Sequence, residues 1–136
     1  MKIQDVMTRS VMTVEPDECA RSAYQKFTAR GIHHIPVVDK GGTLLGILST
    51  NDYRGFTHGA FKKDKITPER IFGALSVRNL MTENPLTLPP TADISDATTA
   101  MLEREIHSLP VVDGGKLVGI LTANDVLRAV SARKVK

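Results

Sequence analysis

The chain has 136 residues, the length of one ordinary domain, whereas either half alone, at about 60 residues, would bury too little surface to be more than marginally stable. Its 18 Lys and Arg against 15 Asp and Glu give a formal charge of +3, yet it has no Trp, two Tyr and four Phe; with no basic stripe interleaved with aromatics, nucleic-acid binding is not expected. One cysteine, Cys19, excludes an intrachain disulfide and a thiolate metal cluster. No apolar run approaches the roughly 20 residues needed to span a bilayer, and Met1-Lys2-Ile3-Gln4-Asp5 lacks the apolar centre of a signal peptide, so a soluble protein of the reducing cytoplasm is expected.

In chain order, Val11 to Val14 reads as extended. Pro16-Asp17-Glu18 then opens a helix whose apolar positions Ala20, Ala23, Tyr24 and Phe27 follow i, i+3, i+4, i+7, and Gly31 closes it. Ile35-Pro36-Val37-Val38, a glycine-containing turn and Leu44-Leu45-Gly46-Ile47-Leu48 read as a β-hairpin. A second helix begins near Ser49 to Asp52, and Gly55-Phe56-Thr57-His58-Gly59 reads as a loop. Thr67-Pro68-Glu69 is a helix start with Thr as cap and Pro at the first position. It leads a short helix through Ile71, Phe72 and Leu75 that either covers apolar surface as a linker or docks on a partner. The order then returns: extended Leu86 to Leu88, a helix carrying Ile94, Ala97, Thr98 and Met101, a hairpin of Leu109 to Val112 with Leu117 to Leu121, and a final helix from Thr122 through Val130. The basic clusters Lys62-Lys63-Asp64-Lys65 and Arg133-Lys134-Val135-Lys136 read as solvated charge.

The return is a repeat of sequence as well as of order. KIQDVMTRSVMTVEP from Lys2 aligns with SVRNLMTENPLTLPP from Ser76, and IHHIPVVD aligns with IHSLPVVD at an offset of 74 residues (106 − 32). One residue fewer in the second turn makes the offset 73 (119 − 46) where GILSTND meets GILTAND. Each copy therefore predicts β-α-β-β-α. The boundaries are 1–58 for the first copy, 59–75 for an insertion with a short helix and 76–136 for the second copy, with the two copies sharing one core.

The paired histidines do not make a metal site by themselves, because adjacent His33 and His34 in a strand point to opposite faces. Neither Ser49 nor Thr122 lies in a nucleophile elbow, no phosphate-binding P-loop is present, and the lone Cys19 falls within the expected first helix, so catalysis has little sequence support.

The M-T pair near the start of each copy, H-x-x-P-V-V-D or its partner H-x-L-P-V-V-D, and G-I-L-[ST]-x-N-D leading into a helix, all in tandem and covering nearly the whole chain, resemble a pair of CBS domains. The resemblance implies an α/β (α+β) module. Two repeats related by a pseudo-twofold axis would pack through their sheets, with ligand clefts between them, and such modules commonly form homodimeric discs. It implies that Asp52 and Asp125 accept hydrogen bonds from ribose hydroxyls. Ser49, Thr122 and His34 would approach phosphate, with Ser108 at the place of His34 in the second copy. The adenine pocket would be formed by Thr8 to Val11 and Thr82 to Leu86, with Ile35, Val37, Leu109 and Val111 as apolar walls.

Each assignment has a plainer counterpart. Ser or Thr followed three residues later by an acid is also a capping box, the aliphatics are also core positions, and His34 is also a surface histidine. The difference between His34 and Ser108 suggests that the first copy suits a charged phosphate better. The expected function is a non-catalytic sensor with no required cofactor, regulated by AMP, ADP, ATP or S-adenosylmethionine and acting on an unidentified partner protein. The alternatives are an interaction module with unused clefts, in which residues 55–75 hold a partner, and a small enzyme that turns over its nucleotide.

Overall fold

A computed structural model describes residues 1–57 and 68–132. The chain divides into two compact units, one of residues 12–84 and one of residues 1–11 with 85–136. The first holds the hairpin of the first copy and the second holds the hairpin of the second copy, so they are called here the first-copy and second-copy units. Both basic clusters, the cap expected at Thr67, and His58 and Gly59 of the expected loop lie outside the described residues.

In the first-copy unit, α1 (Ala20–Arg30) ends at Gly31, whose φ of 62° is the left-handed closure that glycine adopts at no steric cost. Strands β1 (His34–Val38) and β2 (Leu44–Ser49) pair antiparallel with a bulge between Val37 and Val38. The Asp39 carboxylate holds the turn by accepting from the N–H groups of Gly41 and Thr43, both at 2.9 Å. Helix α2 (Thr50–Thr57) follows directly. It runs through residues 55–57, where a loop was expected from Gly55. A glycine costs a helix only about 1 kcal/mol, and the turn before it is anchored by Tyr53, which is buried and donates its hydroxyl to the Ala20 carbonyl at 2.7 Å.

Helix α3 (Pro68–Ala74) lies in the insertion and packs on α1. Phe72 is buried in the core, with Ile71 and Leu75 partly buried against it; this is the linker helix covering apolar surface. Its core partners include Val14, Ala20, Ala23, Phe27, Leu48 and Tyr53. After α4 (Val77–Leu80), strand β3 (Thr82–Glu83) adds to β2, giving the sheet order β1-β2-β3.

The second-copy unit repeats the plan. A 3-10 turn at Ile3–Asp5 stands where α4 stands in the other unit. Helix α5 (Ile94–Arg104) ends in a left-handed residue, here Glu105 with φ 54°. Strands β4 (Ser108–Asp113) and β5 (Lys116–Thr122) pair antiparallel with a bulge between Val111 and Val112, the same place as in the first hairpin. Helix α6 (Ala123–Ala132) closes the unit. Its core is built from Ile3, Met7, Ala97, Met101, Leu109, Val111 and Leu121.

The extended segments expected at the start of each copy shrink to single parallel bridges, Val14 to Val37 and Leu88 to Val111. Prolines nearby at 16, 85, 89 and 90 lack the N–H that a longer ladder would need.

The M-T segments do not stay with the hairpin of their own copy. Thr8 pairs with Ile120 on β5, exchanging two backbone hydrogen bonds of 2.9 and 3.0 Å, and Thr82 pairs with Ile47 on β2. These are equivalent pairings, each crossing from one copy to the hairpin of the other. Each passes over a glycine that must lack a side chain. A Cβ on Gly46 would stand 2.6 Å from the Thr82 carbonyl oxygen and 3.0 Å from the Met81 sulfur; one on Gly119 would stand 2.9 Å from the Thr8 oxygen and 2.7 Å from the Met7 sulfur. The Gly of G-I-L and the M-T motif are thus two sides of one close approach.

Candidate functional site

In each unit the second hairpin strand runs without a break into a helix, and the residue at the junction caps it. The Ser49 N–H donates to Asp52 Oδ2 at 2.7 Å and its hydroxyl approaches the same oxygen at 3.3 Å. In the second-copy unit the box is reciprocal: the Thr122 N–H donates to Asp125 Oδ2 at 3.0 Å and the Asp125 N–H donates to Thr122 Oγ1 at 3.1 Å. The capping geometry is therefore present in both copies. The preceding histidines serve the same helix starts through their backbones, the His33 carbonyl accepting from Thr50 at 3.1 Å and the His107 carbonyl from Ala123 at 2.8 Å.

Strand register brings the other polar candidates alongside. His34 is the cross-strand partner of Ser49, and Ser108 that of Thr122, so each pair shares one face of its hairpin. His34 is half-buried and Ser108 is buried.

The two acids sit in different surroundings. Asp125 is buried, and besides its cap it accepts from the Thr8 hydroxyl, at 3.2 Å to Oδ1 and 3.4 Å to Oδ2, and from Arg128 at 2.6 Å to Oδ1. Asp52 is half-buried and accepts from the Ser49 N–H and hydroxyl. Burial pushes its carboxyl above the ordinary value of 3.8, against the pull of the Ser49 N–H and hydroxyl. Thr82, the counterpart of Thr8, is exposed on β3 and makes no such bond to Asp52.

The structure thus gathers Thr8, Thr122 and Asp125 in one unit and Ser49, Asp52 and His34 in the other. Ile35, Val37, Leu109 and Val111 are fully buried within the two cores, which is their core reading. Leu86 is partly buried against the second core, and Val11 is half-buried in the segment after Thr8. Sequence reasoning passed over Arg128, although an Arg three residues after an acid on a helix is a neighbour by helical spacing alone. It also passed over Gly46 and Gly119, for which a glycine inside a strand was the available signal. Among the described residues no cluster of three or more His, Cys, Asp or Glu is arranged to hold a metal ion, and no helix is long and apolar enough to cross a membrane.

Comparison with known proteins places this architecture. The chain is 30% identical over 130 residues to a CBS domain-containing protein of Dictyostelium discoideum, covering 92% of this chain and 88% of that one. Several other curated relatives are longer, the chain spanning 62% of one and 23% of another. Among solved structures, CBSX2 of Arabidopsis thaliana in complex with AMP superposes with a TM-score of 0.82 at 31% identity, covering 98% of both chains. The CBS domain pair of protein MJ0100 in complex with 5′-methylthioadenosine and S-adenosyl-L-methionine superposes with a TM-score of 0.78 at 25% identity, again covering 98% of both. The CBS domain family description matches residues 3–57 and 77–132, one stretch for each copy of the repeat. This chain belongs to the CBS domain family and carries two such domains in tandem.

Proposed function

We propose that this CBS pair is a non-catalytic regulatory sensor that binds an adenosine-containing small molecule, an adenine nucleotide or S-adenosylmethionine, and needs no further cofactor. The observation that carries the reading is the acid at the third position of a helix in both copies. Asp52 and Asp125 each cap the start of a helix, where a carboxylate can receive ribose hydroxyls while the positive end of the helix dipole attracts phosphate. Capping and ligand binding use different lone pairs of the same carboxylate, which accepts about four hydrogen bonds. Ser49, Thr122 and His34 are assigned to the phosphate. Main-chain groups of Thr8 to Val11 and Thr82 to Leu86 are assigned to the adenine. The complexes of CBSX2 with AMP and of MJ0100 with S-adenosyl-L-methionine support this ligand class.

Occupancy regulates only if the ligand binds one arrangement of the protein better than another, and a partner protein in the cytoplasm reads the change. A homodimer is part of the reading, and it would have Leu102 on α5 and Leu127 and Val130 on α6, exposed at 80%, 63% and 61%, available to cover.

The test is thermal unfolding of the ligand-stripped protein with AMP, ADP, ATP, NAD and S-adenosylmethionine at matched ionic strength. A ligand at a hundred times its Kd adds about 2.7 kcal/mol, a shift of several degrees. Selective stabilisation that disappears in D52A or D125A is expected. No shift with any member of the panel would sink the reading.

A further inference from the structure

We infer that Arg128 sets the ligand selectivity of the second-copy site, making it a site for anionic nucleotides that discriminates against the neutral nucleoside. The inference rests on the assignment of Asp125 to ribose in the preceding subsection and adds what that assignment lacks, a charged group that reads the rest of the ligand.

A single carboxylate has a limited acceptor capacity. Asp125 already receives the Thr122 N–H on Oδ2, the Thr8 hydroxyl shared over both oxygens and Arg128 on Oδ1. With about four acceptor sites in all, it has no room for two ribose hydroxyls until one of these donors leaves. The Thr122 bond is part of the helix cap, and the backbone of Thr8 is held beside the carboxylate by its two bonds to Ile120. Arg128 is the donor able to leave, because its side chain is 72% exposed whereas that of Asp125 is 4% exposed. A guanidinium at such a position is held by one hydrogen-bonded contact and is otherwise in water.

Releasing Arg128 has opposite consequences for different ligands. A neutral nucleoside takes over the carboxylate and leaves the guanidinium without its counter-charge. A nucleotide supplies a phosphate to that same guanidinium within a side chain's reach of the diol. Arg is suited to the exchange, since it is charged at every accessible pH and its planar donors match phosphate oxygens. The cation is thus handed from the protein's carboxylate to the ligand's phosphate, and only an anionic ligand completes the exchange.

The first-copy site has no arginine at the matching position. The residue at the position matching Arg128 is Gly55, and Asp52 is engaged through one oxygen by Ser49. The sequence difference between His34 and Ser108 favours phosphate in the first copy; Arg128 supplies the second copy with a permanent cation. The two sites are therefore expected to differ in what they accept.

The experiment uses the full chain carrying D52A, which isolates the second-copy site, and titrates AMP and adenosine by calorimetry. In D52A, AMP is expected to bind about tenfold tighter than adenosine. Adding R128Q is expected to bring the ratio close to one, mainly by weakening AMP, and R128K to keep part of it. An unchanged ratio in D52A/R128Q, or loss of all binding in D52A alone, overturns the inference about Arg128. If D52A, D125A and the double variant all bind AMP as the unmodified chain does, the ribose assignment fails instead. Because Arg128 is exposed and donates to a side chain on its own helix, R128Q leaves the core untouched.

Discussion

In the first-copy unit four aromatic rings meet, Tyr24, Phe27, Tyr53 and Phe72, with centroids 4.8 to 6.5 Å apart. At the matching positions of the second-copy unit stand Thr98, Met101 and Val126, and Phe72 has no counterpart. The difference follows from the insertion. Helix α3 brings Phe72 over α1, and rings that fill that space are the response to an extra layer. The backbone devices were kept in both units: the left-handed helix end, the bulge, the glycine under the M-T crossing and the capped acid. Duplication has held the positions where backbone geometry leaves no choice and let the side-chain fill diverge.

The largest expected break in this comparison is Phe72→Ala. Removing a buried ring costs about 3 kcal/mol or more, and it strips α3 of its anchor, so the urea midpoint should fall markedly. A loss below about 1 kcal/mol would show that the aromatic layer is dispensable. Next come the two crossings. Gly46→Ala meets a carbonyl oxygen at 2.6 Å on a paired strand, whereas Gly119→Ala meets first the end of a flexible methionine. Costs of about 3 and about 2 kcal/mol are expected in that order, read from the same denaturation curves, and equal costs would contradict the difference in geometry.

A smaller pair concerns the helix ends. Gly31→Ala should destabilise and Glu105→Gly should stabilise, each by about 1 kcal/mol, because only one unit carries the residue its left-handed turn favours. Shifts of the melting temperature in the same direction would refute it.

The smallest effect is one of pH. Burial raises the folded pKa of Asp52 above 3.8, so the folded chain holds that proton more tightly than the unfolded chain. The stability linked to it is fully present below 3.8 and is lost as pH rises through the raised pKa. D52N should lack this decline, which melting temperatures of both proteins across the acidic range would show; parallel curves would exclude it. On the proposed reading, ribose hydroxyls donating to Asp52 would favour its charged form, and ligand binding should then offset the same decline.

Much of this was legible in the chain. The i, i+3, i+4, i+7 spacing from Ala20 to Phe27 and the alternation of glycine turns with β-branched runs identify both first helices and both hairpins, because local burial dictates those patterns. The candidate acids were legible as well, since Ser49-x-x-Asp52 and Thr122-x-x-Asp125 are local caps. What stayed hidden is long-range. Nothing in the neighbourhood of Thr8 announces that it pairs with Ile120, or that Thr82 pairs with Ile47, since a strand pairing leaves no local mark of its partner. Gly46 reads as a weak strand residue until Thr82 is found above it. Arg128 reads as solvated charge until Asp125 is found buried beside it. The loop expected from Gly55 failed because the Tyr53 hydroxyl bond to Ala20, a tertiary contact, carries the helix through Thr57.

The crossed M-T segments also set an order of assembly. Residues 12–84 are one uninterrupted stretch, whereas the other unit joins residues 1–11 to a part of the chain that starts at 85. During synthesis from the N-terminus, the first of these units has all its residues once Asn84 has emerged, while Ile3 and Met7 wait for a hairpin not yet made. Closing so wide a loop slows a folding step far more than it weakens the finished contact. The second-copy unit, with its Arg128 and Asp125, is therefore the later of the two units to form, and the apolar residues of its opening segment stay exposed to premature association in the nascent chain for longer.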